Sequence, residues 1–297
     1  MGIKDTVRSG NKIIAYIERI FNICLGGGQK ILFVQYPAYN SKIINIASKL
    51  PTITIIGFVH DLESLRVKNI SESNEYKRFN DFDGLIVLTN QMKQWFIKRG
   101  YKGRIVTIDM WDYLMKEFSV HDKEFNTIAF AGNLNKSAFI DKLKNLNTSF
   151  SLYGKCDEKR KEQIVAKNVR YRGMFLPDEL PYKINDGWGL VWDGDSIECC
   201  SGDYGEYLKY NIPHKTALYL ASGVPVFVWK EAAISDFIHT KGIGFLIESL
   251  DEIDNIISKV SSEEYNEMCY NVKKVRKEII TGEHIKKATL WHLDNIE

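Results

Sequence analysis

From Gln29 onward, short apolar runs alternate with amphipathic ones, and that alternation limits the folds open to this chain. ILFVQY (31–36), TITIIGFV (52–59), GLIVLT (84–89) and RIVTID (104–109) read as strands. Between them SKIINIASKL (41–50), SNEYKRFNDF (73–82) and NQMKQWFIKRG (90–100) read as helices. Strands separated by helices imply right-handed crossovers and a parallel sheet. After a polar, aperiodic stretch, Tyr113–Phe125, the alternation starts again. TIAFAG (127–132), FSLYG (150–154), VRYRG (169–173), GWGLVW (187–192), VFV (226–228) and IGFLI (243–247) are the second set of strands, and 137–146 is a helix. Helices over 249–258, 261–277 and 280–293 close the chain. The fold class is therefore α/β, with domains expected over 1–122 and 123–277 and a C-terminal helix, 278–297, packing back on the first. Two open parallel sheets that face each other form a cleft at their strand C-termini.

The densest signal lies in YNIPHKTALYLASGVPVFV (210–228). Asn211 suits an N-cap and Pro213 the first helical turn, where a missing N–H costs nothing. Gly223 can take the left-handed conformation that ends a helix, and Pro225 forbids continuation. Free N–H groups, the helix dipole, His214 and Lys215 thus converge on a point that attracts phosphate. An ordinary crossover with a surface lysine has the same pattern.

Composition narrows the partners. The 297 residues carry a net charge of +2, too small to argue for nucleic acid. Residues 1–125 hold 18 Lys+Arg against 13 Asp+Glu, and the remainder 22 against 25. A mildly basic first half suits an anionic acceptor or lipid surface, and equally a solvated face. Five cysteines without metal-ligand or CxxC spacing fit a reducing cytoplasm. No apolar run reaches the ~18 residues of a membrane span, so contact with a membrane, at its inner face, would be peripheral. Residues 3–24 are spaced as an amphipathic helix, ended by Gly26–Gly28, whose apolar stripe would suit self-association into a homo-oligomer.

Several strand ends deliver polar groups to one rim. Gly132 and Asn133 follow a strand and precede a helix, a place for an anion or a common turn. Arg172 offers a planar fork to phosphate oxygens, or a surface ion pair. The loop after GWGLVW mixes carboxylates, glycines and aromatics, a mixture that suits sugar binding, or whose charges merely solvate a loop. In the first half His60 and Asp61 follow a strand, where either could take a proton from a hydroxyl; Asp61 could instead cap a helix. Gln35, Pro37 and Asn40, and Trp111 with Asp112, end neighbouring strands at the same edge.

Together QYPAYN, GFVHD, MWD, FAGN, GLVW and YNIPHKTALYLASGVPVFVW resemble small bacterial glycosyltransferases of the GT-B fold, two Rossmann-like domains facing across a cleft. The nearest groups are β-1,6-galactofuranosyltransferase-like enzymes of cell-surface polysaccharide assembly and glucosyltransferases that extend N-acetylglucosamine on serine-rich-repeat adhesins. The resemblance implies a UDP-sugar donor on the C-terminal domain, near Arg172, Tyr210, Asn211, His214 and Lys215, with Gly132 and Asn133 as the wall beneath. It implies a glycan, lipid-linked sugar or glycosylated protein as acceptor, near Gln35, His60, Asp61 and Trp111. It implies no cofactor and no bound metal, so Asp193-Gly194-Asp195 is read as a chance DxD. A β-linked product would mean inversion, with Asp61 as base and His60 second. Relatives begin with a further strand, helix and strand, so the first domain is expected to be short. A GT-B domain can also be a non-catalytic partner or chaperone of another transferase. An NAD enzyme is disfavoured, because no GxGxxG follows an early strand.

Overall fold

The computed structural model describes residues 29–37, 41–67, 69–118 and 123–295. The expected first helix, Gly26–Gly28 and Asn40 lie outside the described residues. The first domain is a parallel sheet in the order β1-β2-β3-β4, made of Lys30–Tyr36, Ile53–Val59, Gly84–Val87 and Arg104–Thr107. Its helices are α1 (Ser41–Ala47), α2 (Glu63–Arg66), α3 (Glu72–Tyr76) and α4 (Asn90–Lys98). Strands β2 and β3 are buried almost throughout, which is why they read as unbroken apolar runs. The helix expected over 73–82 is the single turn α3 followed by a 3₁₀ turn, Lys77–Phe79.

The second sheet is also fully parallel, in the order β10-β9-β8-β5-β6-β7. Its strands are β5 (Glu124–Ala131), β6 (Ser149–Tyr153), β7 (Val169–Gly173), β8 (Asp186–Val191), β9 (Val226–Trp229) and β10 (Gly244–Ile247). Around it lie α5 (Glu158–Ile164), α6 (Leu180–Lys183), α7 (Gly202–Tyr207), α8 (His214–Ala221), α9 (Ser235–Lys241), α10 (Glu252–Lys259) and α11 (Ser262–Thr281). The chain runs outward from β5 to β7, then returns to build β8 on β5's other side. The order therefore reverses between β5 and β8, and the crevice outside their C-terminal ends is the position where open α/β sheets take ligands.

Residues 138–145 form a 3₁₀ helix rather than the expected α-helix. The cause is local: Asn133 Oδ1 accepts from Asn135 N (3.2 Å) and Ser137 Oγ donates to Asn133 O (3.2 Å), bonds that compete with an α-helical start.

The last helix, α12 (Glu283–Asp294), leaves the second domain at Gly282 and packs on β3 and β4 of the first. Asp112 caps it, accepting from Ile285 N (2.8 Å) and His284 N (3.3 Å). Asp112, expected on the cleft rim, is thus spent on holding α12. Buried His292 meets Leu85 O at 3.1 Å, and Tyr113 N donates to Ile279 O. The apolar cores of the two sheets are continuous. No described helix is long and apolar enough to cross a membrane.

Candidate active site

Strand exits build the site on the second domain. Lys215, in the first turn of α8, donates from Nζ to Trp192 O (2.8 Å) and Asp193 Oδ2 (2.9 Å), both just past β8. The ammonium also lies 4.6 Å from the ring centroid of Phe130 on β5. It therefore occupies the β5/β8 reversal point, and its side chain is only 12% exposed. Asp193 is Lys215's counter-ion, and no group of three His, Cys, Asp or Glu able to hold a metal occurs among the described residues.

Helix α8 begins at His214 with Pro213 as its N-cap, not at Asn211. Ile212 is buried and its carbonyl accepts Trp111 Nε1 at 2.7 Å, which holds residues 211–213 extended. The N-cap side chain makes no hydrogen bond and Thr216 N turns back to Pro213 O (2.9 Å), so the positive end of the α8 dipole, at His214 and Lys215, is uncapped. The turn after α8 is as expected: Gly223 has φ +81° and the chain enters β9 at Val226.

Beneath this point the exits of β5, β6 and β7 draw together. Gly132 N donates to Tyr153 O and Gly154 N to Gly173 O, both 2.9 Å. Gly154 has φ +129°, and a Cβ there would stand 2.0 Å from Gly132 O. Gly132 and Asn133 thus form a main-chain shelf, followed by a turn rather than an α-helix.

Arg172 does not join Lys215. Its Nε donates to Ser151 Oγ (3.1 Å) and its fork lies 4.0 Å from Glu124, the first residue of β5. The side chain leans back along the sheet, toward the strand entrances. Tyr210 also turns away: its carbonyl accepts Thr89 Oγ1 (2.5 Å), and it lines a groove of about 550 Å³ with Trp95, Lys98, Arg99 and Lys209.

The first domain brings His60 and Asp61 to the same junction. Asp61 pairs with Arg66 at 2.9 Å and is 25% exposed. The His60 ring lies 5.3 Å from Trp111, which stacks on His214 at 4.3 Å with 25° between planes. Burial, then the neighbouring His214, pushes the His60 pKa below its ordinary value, against Asp61. Surrounding protein likewise lowers His214, again opposed by Asp61, although His214 remains solvent-exposed. Both shifts favour the neutral imidazole. His60 Nε2 is sealed from solvent without a partner.

Trp111, expected to face an acceptor, is only 6% exposed and acts as a bridge between the domains. Gln35 is exposed near the end of edge strand β1. So His60, Asp61 and His214 gather at the domain junction around Trp111, with Lys215 next to His214 in α8 and Gly132 and Asn133 after β5, while Arg172, Tyr210 and Gln35 stand apart.

Two further residues organise this centre and have no local sequence signal. Tyr207 of α7 accepts from Leu62 N at 2.7 Å across the domain boundary. Fully buried Glu75 holds the loop after Asp61: it accepts from Tyr36 Oη (2.7 Å), Glu63 N (2.6 Å) and Ser64 N (2.8 Å).

Comparison with known proteins agrees with this architecture. The profile described as "Glucosyltransferase 3-like, N-terminal domain" matches residues 3–110, and its C-terminal counterpart matches 128–291. A β-1,6-galactofuranosyltransferase of Escherichia coli (strain K12) is 31% identical over 297 residues, spanning 96% of this chain and 86% of that protein. Glucosyltransferase 3 of Streptococcus gordonii is 29% identical over 275 residues, 90% of this chain and 79% of that protein. Among solved structures, a sucrose-phosphate synthase from Thermosynechococcus elongatus superposes with a TM-score of 0.62 at 12% identity, over 89% of this chain and 73% of that one. The Anabaena protein HepE, solved with UDP, gives 0.61 at 14% identity, over 89% and 79%. These structural likenesses establish the GT-B fold.

Proposed function

The chain belongs to the glucosyltransferase 3-like family, and we propose that it moves a hexose, galactofuranose or glucose, from a UDP-linked donor to a sugar hydroxyl of a cell-surface glycan or glycoprotein. The observation that carries this reading is the position of Lys215. A nearly buried cation and an uncapped helix start stand together at the β5/β8 reversal point, next to His214, whose ring stacks on Trp111 of the other domain. Negative charge grows on the diphosphate as the sugar–oxygen bond breaks, and fixed donors aimed at it lower the barrier. Lys215 and the α8 N–H groups fill that role, and His214 can donate from the same turn. Asp193, which balances Lys215 in the free protein, yields part of that ion pair to the donor.

Transfer with inversion needs a base on the acceptor's side. Asp61 is accessible, whereas Nε2 of His60 is sealed, so Asp61 takes the proton and His60 packs between Phe58 and Trp111. The Gly132–Gly154–Gly173 shelf lets the donor approach main chain closely. No metal is required, because Lys215 and the helix dipole supply the positive charge.

The test is UDP release by the purified protein over a panel of UDP-sugars with and without glycan acceptors, repeated in EDTA, with the product anomer assigned by NMR. Acceptor-dependent UDP release that survives EDTA and gives the inverted anomer supports the reading. Binding of UDP without turnover on any acceptor contradicts it and points to a non-catalytic subunit.

A further inference from the structure

Tyr207 belongs to the C-terminal domain by sequence but acts on the N-terminal one. It ends α7, which packs against α2 across the domain boundary, and only 3% of it is exposed. Its hydroxyl accepts the Leu62 N–H at 2.7 Å, and Leu62 is the N-cap residue of α2, whose next two N–H groups, Glu63 and Ser64, go to Glu75. A phenol that has accepted one hydrogen still has its own to donate, and buried donors require a partner. The charged group beside that hydroxyl is the carboxylate of Asp61, the residue before Leu62. Arg66 pairs with Asp61 at 2.9 Å. One tyrosine therefore fixes the main chain at the residue that follows Asp61. It does so from the connection, residues 192–213, that also holds Asp193 against Lys215 and leads into α8.

We propose that Tyr207 is a positioning residue for the transfer reaction, tying the orientation of Asp61 to the donor-side loop so that base and leaving-group site are set together. The inference rests on the reading of Asp61 as the base. A carboxylate paired with Arg66, on a main chain pinned at the next residue, keeps the geometry that proton removal needs, and small misplacements lower turnover steeply. Tyr207 does not touch donor or acceptor, so its effect falls on kcat.

The experiment compares Tyr207→Phe, Asp61→Asn and the double variant, measuring kcat, KM and UDP affinity, with thermal melting as the check on folding. Phe keeps the packed ring and removes only the hydroxyl. Tyr207→Phe is expected to lower kcat roughly 10- to 100-fold, with UDP affinity unchanged. Asp61→Asn is expected to lower it further, and adding Tyr207→Phe to that background to cost nothing more on the residual rate. Wild-type kcat in Tyr207→Phe, or a loss that multiplies fully with that of Asp61→Asn, overturns the positioning role while leaving Asp61 as base. Full turnover in Asp61→Asn refutes the base itself; a slow Tyr207→Phe beside it would show that the tyrosine acts through something else.

Discussion

Replacing Glu75 by glutamine should destabilise the protein out of proportion to so small a change. The carboxylate is fully buried and accepts three hydrogen bonds, two on Oε1 from Tyr36 Oη and Glu63 N, and one on Oε2 from Ser64 N. An amide of the same shape offers one oxygen and one NH₂. In the better orientation the oxygen keeps the two donors on Oε1, and the NH₂ then faces the N–H of Ser64, donor against donor. A hydrogen bond to a charged acceptor contributes about 1.5–3 kcal/mol, and an unsatisfied buried N–H costs about 1–3 kcal/mol. These terms overlap, so the net loss is about 2–4 kcal/mol. For a chain of this size that corresponds to a drop in Tm of roughly 4–10 °C. Differential scanning calorimetry of Glu75→Gln against wild type reads it directly, and Glu75→Asp, which keeps the charge but not the reach, should fall between. Because Glu63 and Ser64 follow the Asp61 segment, kcat should also drop more than UDP affinity. A Tm within about 1 °C of wild type would refute the claim that this carboxylate anchors the loop.

Two further outcomes follow from the same geometry. Gly154→Ala places a Cβ 2.0 Å from Gly132 O at φ +129°, so the shelf must shift; UDP affinity and Tm should both fall, and wild-type values for both would contradict the shelf's role. Burial lowers the pKa of His60, His214 and His292, so the unfolded chain takes up protons more readily than the folded one as pH falls below the ordinary histidine value of about 6.5. Their contribution is fully present above that value and is lost on acidification; Tm should decline from about pH 7.5 to about 5.5, and a flat or rising profile would contradict it.

The α/β class and the two sheets were legible because buried parallel strands announce themselves as apolar runs such as TITIIGFV and GWGLVW. The helix–turn–strand of 210–228 was legible as well, since Gly223 and Pro225 act locally. What was misread depended on distant partners. Asn211 is a good N-cap by type, but Trp111, a hundred residues earlier, takes the carbonyl of Ile212 and delays the helix to His214. Trp111 and Asp112 looked like rim residues at a strand end, yet one bridges the domains and the other caps α12. Arg172 has the right chemistry for phosphate, and only the positions of Ser151 and Glu124 show that it leans the other way. Glu75 and Tyr207 carry no local pattern at all, because their value lies in backbone N–H groups brought to them by the fold.

The most direct test of the central claim is a calorimetric titration of UDP into the wild-type protein, Lys215→Ala and Asp61→Asn, without added metal. At an effective dielectric constant of about 20, a unit charge about 4 Å from a phosphate oxygen contributes roughly 4 kcal/mol. Asp193 screens about half of it, leaving roughly 2 kcal/mol, or about a 30-fold loss of affinity on removing Lys215. Tight single-site binding to wild type, that loss in Lys215→Ala and an unchanged value in Asp61→Asn are the results expected. Equal UDP affinity in wild type and Lys215→Ala would contradict the assignment of the β5/β8 reversal point as the donor site.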